Sequence, residues 1–123
     1  MAIATVLIED NQTIRDSLIP TMKELADLDV VVVAETSREG VQALALHDWQ
    51  LAVVDLFLRQ GSGMEVLRAC GNRRPGQHMI VLSNYATRQI REKCLSLGAT
   101  AVFDKSTELD DFFDFCRDLF TQH

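Results

Sequence analysis

The chain has 123 residues, enough for one domain with a real core and too few for two. Hydrophobic residues make up 47% and charged residues 24%, as in an ordinary globular chain, and a net charge of −6 disfavours non-specific binding to nucleic acid or an anionic membrane. The three cysteines, Cys70, Cys94 and Cys116, are odd in number and lack C-x-x-C spacing, so reduced thiols in a cytoplasmic protein are expected, not a disulfide framework or a zinc site.

The N-terminal stretch "MAIATVLIED" has no basic region and meets acid at position 9, so it reads as a first strand and not as a signal peptide. Its apolar run is "ATVLI", residues 4–8. In 12–27, Ile14, Leu18, Met22 and Leu25 recur at three- and four-residue steps, which predicts a helix with one apolar face. Pro20 inside it predicts a kink or an early break. The second run is "VVVVAE" (30–35), followed by a helix over 37–47 with Ser37 as N-cap and Val41, Leu44 and Ala45 facing inward. The third is "LAVVD" (51–55), with Trp49 starting the strand, and a helix over 63–70 carries Met64, Val66 and Leu67. The fourth is "MIVLS" (79–83), then a helix over 87–97 with Ile90, Cys94, Leu95 and Leu97 inward and Gly98 as its stop. The fifth is "TAVFD" (100–104). A last helix over 106–120 takes Ser106 or Thr107 as cap, early acids that suit its dipole, and Phe112, Phe113, Phe115, Cys116, Leu119 and Phe120 on its apolar side. No apolar run approaches the ~20 residues needed to span a membrane. His47, His78 and His123 have no ligand spacing and are expected in surface or structural roles.

The five runs are aliphatic and lack clean alternation, the pattern of strands buried on both faces of a parallel sheet. Strands alternating with helices predict an α/β fold of (βα)5 type, doubly wound, with ligands bound beyond the carboxyl ends of the strands. At those ends stand Glu9-Asp10, Asp55, Ser83-Asn84 and Asp104-Lys105. Each residue alone is an ordinary strand end, turn or surface charge. Together they bring clustered carboxylates, a hydroxyl and a lysine to one edge. Carboxylates so close must take up protons or a cation, and an oxygen-only donor set suits a hard dication such as Mg²⁺. A metal, a lysine and a hydroxyl around one carboxylate suit phosphoryl transfer, with the aspartate itself able to act as nucleophile.

The ordered set Glu9-Asp10, "VVDLFLRQGSGMEVL" with Asp55, "VLSNYA" with Ser83 and "GATAVFDKS" with Lys105 resembles the receiver domain of two-component response regulators, the CheY-like superfamily. The resemblance covers essentially the whole chain, a single receiver domain over 1–123. It implies a flavodoxin-like five-stranded parallel sheet in the order 2-1-3-4-5. Asp55 would accept a phosphoryl group from the phosphohistidine of a sensor histidine kinase or phosphotransfer protein. Glu9, Asp10, Asp55 and the backbone carbonyl of Phe57 would hold Mg²⁺, with Mn²⁺ an alternative and Glu9 acting through water. Ser83 and Lys105 would contact the phosphoryl group. Ser83, Asn84 and Val102 are the switch positions, acting on the surface of helix 4, strand 5 and helix 5. The protein would be no enzyme in the ordinary sense but a cytoplasmic signalling phosphoacceptor with self-catalysed phosphorylation and dephosphorylation. Its partners would include a downstream effector and a phosphorylation-dependent second copy, with no nucleic acid or membrane bound by this domain itself.

The sequence departs from the family where proline is frequent and Arg59 stands, where Asn84 replaces a small residue, where Val102 replaces an aromatic, and where Ser106 replaces a proline with a cis bond. The departures leave a second reading, a degenerate receiver that acts as a phosphorylation-independent interaction module. A small flavodoxin-like cofactor binder or hydrolase on the same topology is a third, opposed by the acids of "IEDNQT" where a phosphate-binding loop would lie. The chain is read as a stand-alone receiver or as the front of a larger regulator.

Overall fold

The computed structural model describes residues 2–121, so the expectation for His123 lies outside them. The strands are β1 (Ile3–Ile8), β2 (Leu28–Ala34), β3 (Leu51–Asp55), β4 (His78–Ser83) and β5 (Ala101–Asp104). They alternate with α1 (Gln12–Ala26), α2 (Ser37–Leu46), α3 (Gly63–Ala69), α4 (Arg88–Ser96) and α5 (Leu109–Thr121). All strand pairs are parallel, in the order β2-β1-β3-β4-β5. Successive β3 residues point to opposite faces and both are buried: Val53 joins Leu18, Met22, Phe112 and Cys116 under α1 and α5, and Val54 joins Leu44, Val66 and Cys94 under α2, α3 and α4. That explains the unbroken apolar runs. From β1 the chain moves outward to β2 and then back across to β3. The carboxyl ends of β1 and β3 therefore border the crevice where the order reverses.

Several local expectations change. The register of β1 against β2 slips between Thr5 and Val6, leaving Val31 as an extra residue, so Val30 packs under α1 and α5 while Val32 packs on the opposite face. Pro20 does not break α1, which continues to Ala26. It is exposed, so the carbonyl it leaves unbonded can meet water, and the Thr21 hydroxyl donates to the Ser17 carbonyl at 3.0 Å beside it. Thr36, not Ser37, caps α2, accepting from the Glu39 amide at 3.1 Å. Ser106 and Thr107 do not cap α5. Both are folded into a turn by Asp104, whose Oδ1 accepts from the Ser106 amide at 2.8 Å, the Ser106 hydroxyl at 2.6 Å and the Thr107 amide at 3.2 Å. Trp49 lies before β3, buried, its Nε1 donating to the Leu44 carbonyl at 3.0 Å. Leu25, Ala45 and Leu95, expected inside, are exposed, and Ala26 and Ala43 are buried instead.

Candidate functional site

The carboxyl ends of β1 and β3 bring Glu9, Asp10 and Asp55 together, with one carboxylate oxygen from each within 4.8 Å of the others. Glu9 is 2% exposed and Asp55 7%. From the turn after β5, Lys105 Nζ pairs with Glu9 Oε1 and stands 3.3 Å from Asp55 Oδ2. The other Asp55 oxygen faces the Phe57 amide, at 3.4 Å. Glu9 Oε2 accepts from the Asn11 amide at 3.1 Å. Burial raises the Glu9 carboxyl from its ordinary value, opposed by the Lys105 hydrogen bond and reinforced by the charge of Asp55. Three carboxylates against one ammonium leave two formal negative charges around a cavity of about 180 Å³. An all-oxygen, doubly negative pocket is chemically suited to a small hard dication.

The loop after Asp55 is held without the proline. The Phe57–Ser62 bridge and the Gly63 amide, 3.0 Å from the Leu56 carbonyl, close it on itself. Gly61 takes φ +77°, and a Cβ there would lie 1.8 Å from Ser37 Oγ; at Gly63 a Cβ would meet the Asp55 carbonyl at 2.4 Å. Arg59 Nη2 approaches Glu35 Oε1 at 3.5 Å, and Arg15 Nη1 pairs with Glu35 Oε2 at 2.9 Å while donating to the Glu9 carbonyl at 2.8 Å. The position where proline was frequent is thus a side-chain tether to the end of β2, and Arg15 extends it to the acid pair. No local pattern pointed to Arg15 or Glu35, because the pairs join residues far apart in the chain.

Ser83 ends β4 fully buried, its hydroxyl accepting from the Tyr85 amide at 3.0 Å and its carbonyl from the Lys105 amide at 3.0 Å. Asn84 is exposed and lines the cavity, as does Tyr85, whose ring meets that of Phe57 edge-on at 5.0 Å. Tyr85 and the Phe57 ring were absent from the sequence expectation. Val102 is buried on the α4 side of the sheet, whereas its neighbour Phe103 turns to the opposite face against Phe112 and Phe115. Alternation along β5 therefore prevents Phe103 from standing in for the missing aromatic. The Lys105–Ser106 bond is trans, as are all peptide bonds among the described residues.

The parallel order β2-β1-β3-β4-β5 and an acid pair, aspartate and lysine at adjoining strand ends define a receiver-like α/β protein. The sequence profile of the response regulator receiver domain matches residues 5–117, and the chain belongs to that family, the receiver domains of two-component systems. It is 35% identical over 81 residues to the acid tolerance regulatory protein ActR of Rhizobium meliloti, covering 66% of this chain and 42% of that protein. It is 32% identical over 79 residues to the photosynthetic apparatus regulatory protein RegA of Rhodobacter capsulatus, covering 64% and 43%. The matched region thus spans less than half the length of these relatives. The fold is shared with the response regulator domain of Thermotoga maritima CheB, with TM-score 0.85 and 16% identity over 100% of this chain and 99% of that one. It is also shared with a LuxR-family two-component response regulator from Aurantimonas sp. SI85-9A1, with TM-score 0.87 and 16% identity over 100% and 89%. No helix among the described residues is long and apolar enough to cross a membrane.

Proposed function

We propose that residues 1–123 form one receiver domain in which Asp55 accepts a phosphoryl group from a phosphohistidine. The observation that carries this reading is the site's charge: a buried aspartate beside two further acids, with one lysine on one of its oxygens. In the transfer, an Asp55 oxygen forms a bond to phosphorus as the phosphorus–nitrogen bond breaks, and the electron pair of that bond leaves with the imidazole. Lys105 stabilises charge that grows on the phosphoryl oxygens. The Phe57 amide orients the carboxylate. Glu9, Asp10, Asp55 and the Phe57 carbonyl would hold Mg²⁺ (or Mn²⁺), which when bound supplies the positive charge that draws the phosphoryl oxygens to the acids. Water attack on the resulting acyl phosphate returns the carboxylate and releases phosphate. Asn84 and the Phe57–Tyr85 pair line the cavity that this water would enter.

The Ser83 hydroxyl accepts from the Tyr85 amide, which leaves its own O–H free to donate to a phosphoryl oxygen, and a shift of Ser83 toward that oxygen draws its loop inward. That movement carries the signal to α4, β5 and α5. A cytoplasmic sensor kinase or phosphotransfer protein upstream, and an effector domain or a second copy downstream, complete the reading. Titrating ¹⁵N-labelled protein with Mg²⁺ and beryllofluoride should shift the Ser83 and Lys105 amides only when Mg²⁺ is present. No shift in wild type, or an equal shift in Asp55→Asn, would contradict it.

The interaction-module reading draws on Val102, which has no ring to reorient, and on the exposed Asn84 amide beside Ser83. Equal partner affinity with and without beryllofluoride would favour it.

A further inference from the structure

The switch surface lacks an aromatic at Val102, yet one side chain joins its parts. Arg91, on α4, is about one-third exposed. Its Nε donates to the Ala86 carbonyl at 2.8 Å, its Nη1 to the Val102 carbonyl at 3.1 Å and its Nη2 to Glu108 Oε1 at 2.6 Å. The same Glu108 oxygen accepts from the Asp104 amide at 2.8 Å. Ala86 lies three residues beyond Ser83, in the loop whose Asn84 and Tyr85 line the cavity. Val102 and Glu108 flank Lys105 at three residues on either side. One guanidinium thus spans the two chain segments that deliver the hydroxyl and the lysine to Asp55.

We propose that Arg91 is a positioning residue that latches the Ser83 loop to β5 and the start of α5 in the unphosphorylated state, doing by hydrogen bonds what Val102 cannot do by ring movement. The latch rests on the phosphoacceptor reading above. It is a matter of geometry: a planar fork with fixed donor directions satisfies three acceptors on two segments, which a lysine ammonium at the same place cannot reproduce. Drawing Ser83 toward Asp55 pulls the Ala86 carbonyl away from Nε. The guanidinium and Glu108 are then freed together, on the face formed by α4, β5 and α5. Because the latch bonds exist in only one of the two arrangements, they bias the equilibrium between them, and losing them favours the other.

The test is a beryllofluoride titration in Mg²⁺ on the full chain, for wild type, Arg91→Ala and Arg91→Lys. Both variants should bind about fivefold tighter than wild type, and in wild type the Arg91 Nε–H resonance should shift and exchange faster as the adduct forms. Binding by the variants that is unchanged or weaker, or rescue of wild-type affinity by lysine, overturns the latch. An Arg91 side chain that merely holds the fold together would keep its resonance unchanged on adduct formation. That readout decides the matter even if Arg91→Ala fails to fold. Failure of wild type to form an Mg²⁺-dependent adduct instead rejects the phosphoacceptor reading, and the latch with it.

Discussion

Glu9 is almost wholly buried, its carboxylate shared between Lys105 and the Asn11 amide. Burial raises its pKa from 4.5, so the folded state holds the proton more tightly than the unfolded chain does. A raised group stabilises fully below its unfolded value, and that contribution is lost as pH rises through the folded value. In chelator-treated protein, stability should therefore fall as pH rises above about 4.5 through this group's titration, and Glu9→Gln should flatten that limb in melting curves. Asp104 and Glu108 act with the opposite sign: hydrogen bonds from Ser106 and from Arg91, respectively, lower their pKa values, so their contributions disappear as pH falls. Gly61 gives a second residue-scale expectation. Alanine there would combine a left-handed φ with a collision against Ser37, so Gly61→Ala should cost about 2 kcal/mol or more in urea unfolding. The residues at the strand ends were legible in the sequence because a parallel sheet delivers all its carboxyl ends to one edge. Arg15, Arg59 and Arg91 were not: long side chains reach partners 20, 24 and 17 positions away through space, and no local spacing encodes such pairs.

Helix α1 shows how far an element tolerates a locally unfavourable residue. Pro20 removes one backbone donor, but it faces water and the Thr21 hydroxyl bonds back to Ser17. Pro20→Ala should restore the missing bond and stabilise the protein by about 1–2 kcal/mol, less than the full helix-propensity difference because proline also restricts the unfolded chain. Urea midpoints with unchanged slope would show it. The five strands and five helices of the described residues were legible from periodicity, although only the inner strands are buried on both faces and Val31 and Val33 of the edge strand β2 are exposed. The ends were less so. Leu25 and Leu95 each sit one position off the buried line, which runs through Leu18, Met22 and Ala26 in α1 and through Ile90, Cys94 and Leu97 in and just after α4. The bulge at Val31 was hidden because four consecutive valines read the same in either phase. The late start of α5 was hidden because Asp104 competes for the very residues that look like caps.

Across the whole molecule the sheet holds the acids and the lysine at the carboxyl ends of its strands and the buried Trp49 at the other end of β3. Trp49 precedes β3, whose rise of about 13 Å from Leu51 separates it from Asp55 at the strand's other end. Its emission should report unfolding and stay unchanged on Mg²⁺ addition. Mg²⁺ itself should raise the melting temperature, by an amount equivalent to about 2.7 kcal/mol at a hundredfold excess over its dissociation constant, and Asp10→Asn or Asp55→Asn should abolish most of that gain. The fold, the family and the composition of the site could all be anticipated from residues at strand ends. The tethers that hold the site's loops, and the latch proposed at Arg91, emerged only in three dimensions. Whether Asp55 accepts the phosphoryl group is read by intact-mass spectrometry after incubation with a small-molecule phosphodonor. Wild type with Mg²⁺ should gain one phosphoryl group, removed by hydroxylamine and absent with chelator or in Asp55→Asn. Equal labelling of Asp55→Asn, or a label that survives hydroxylamine, would contradict it.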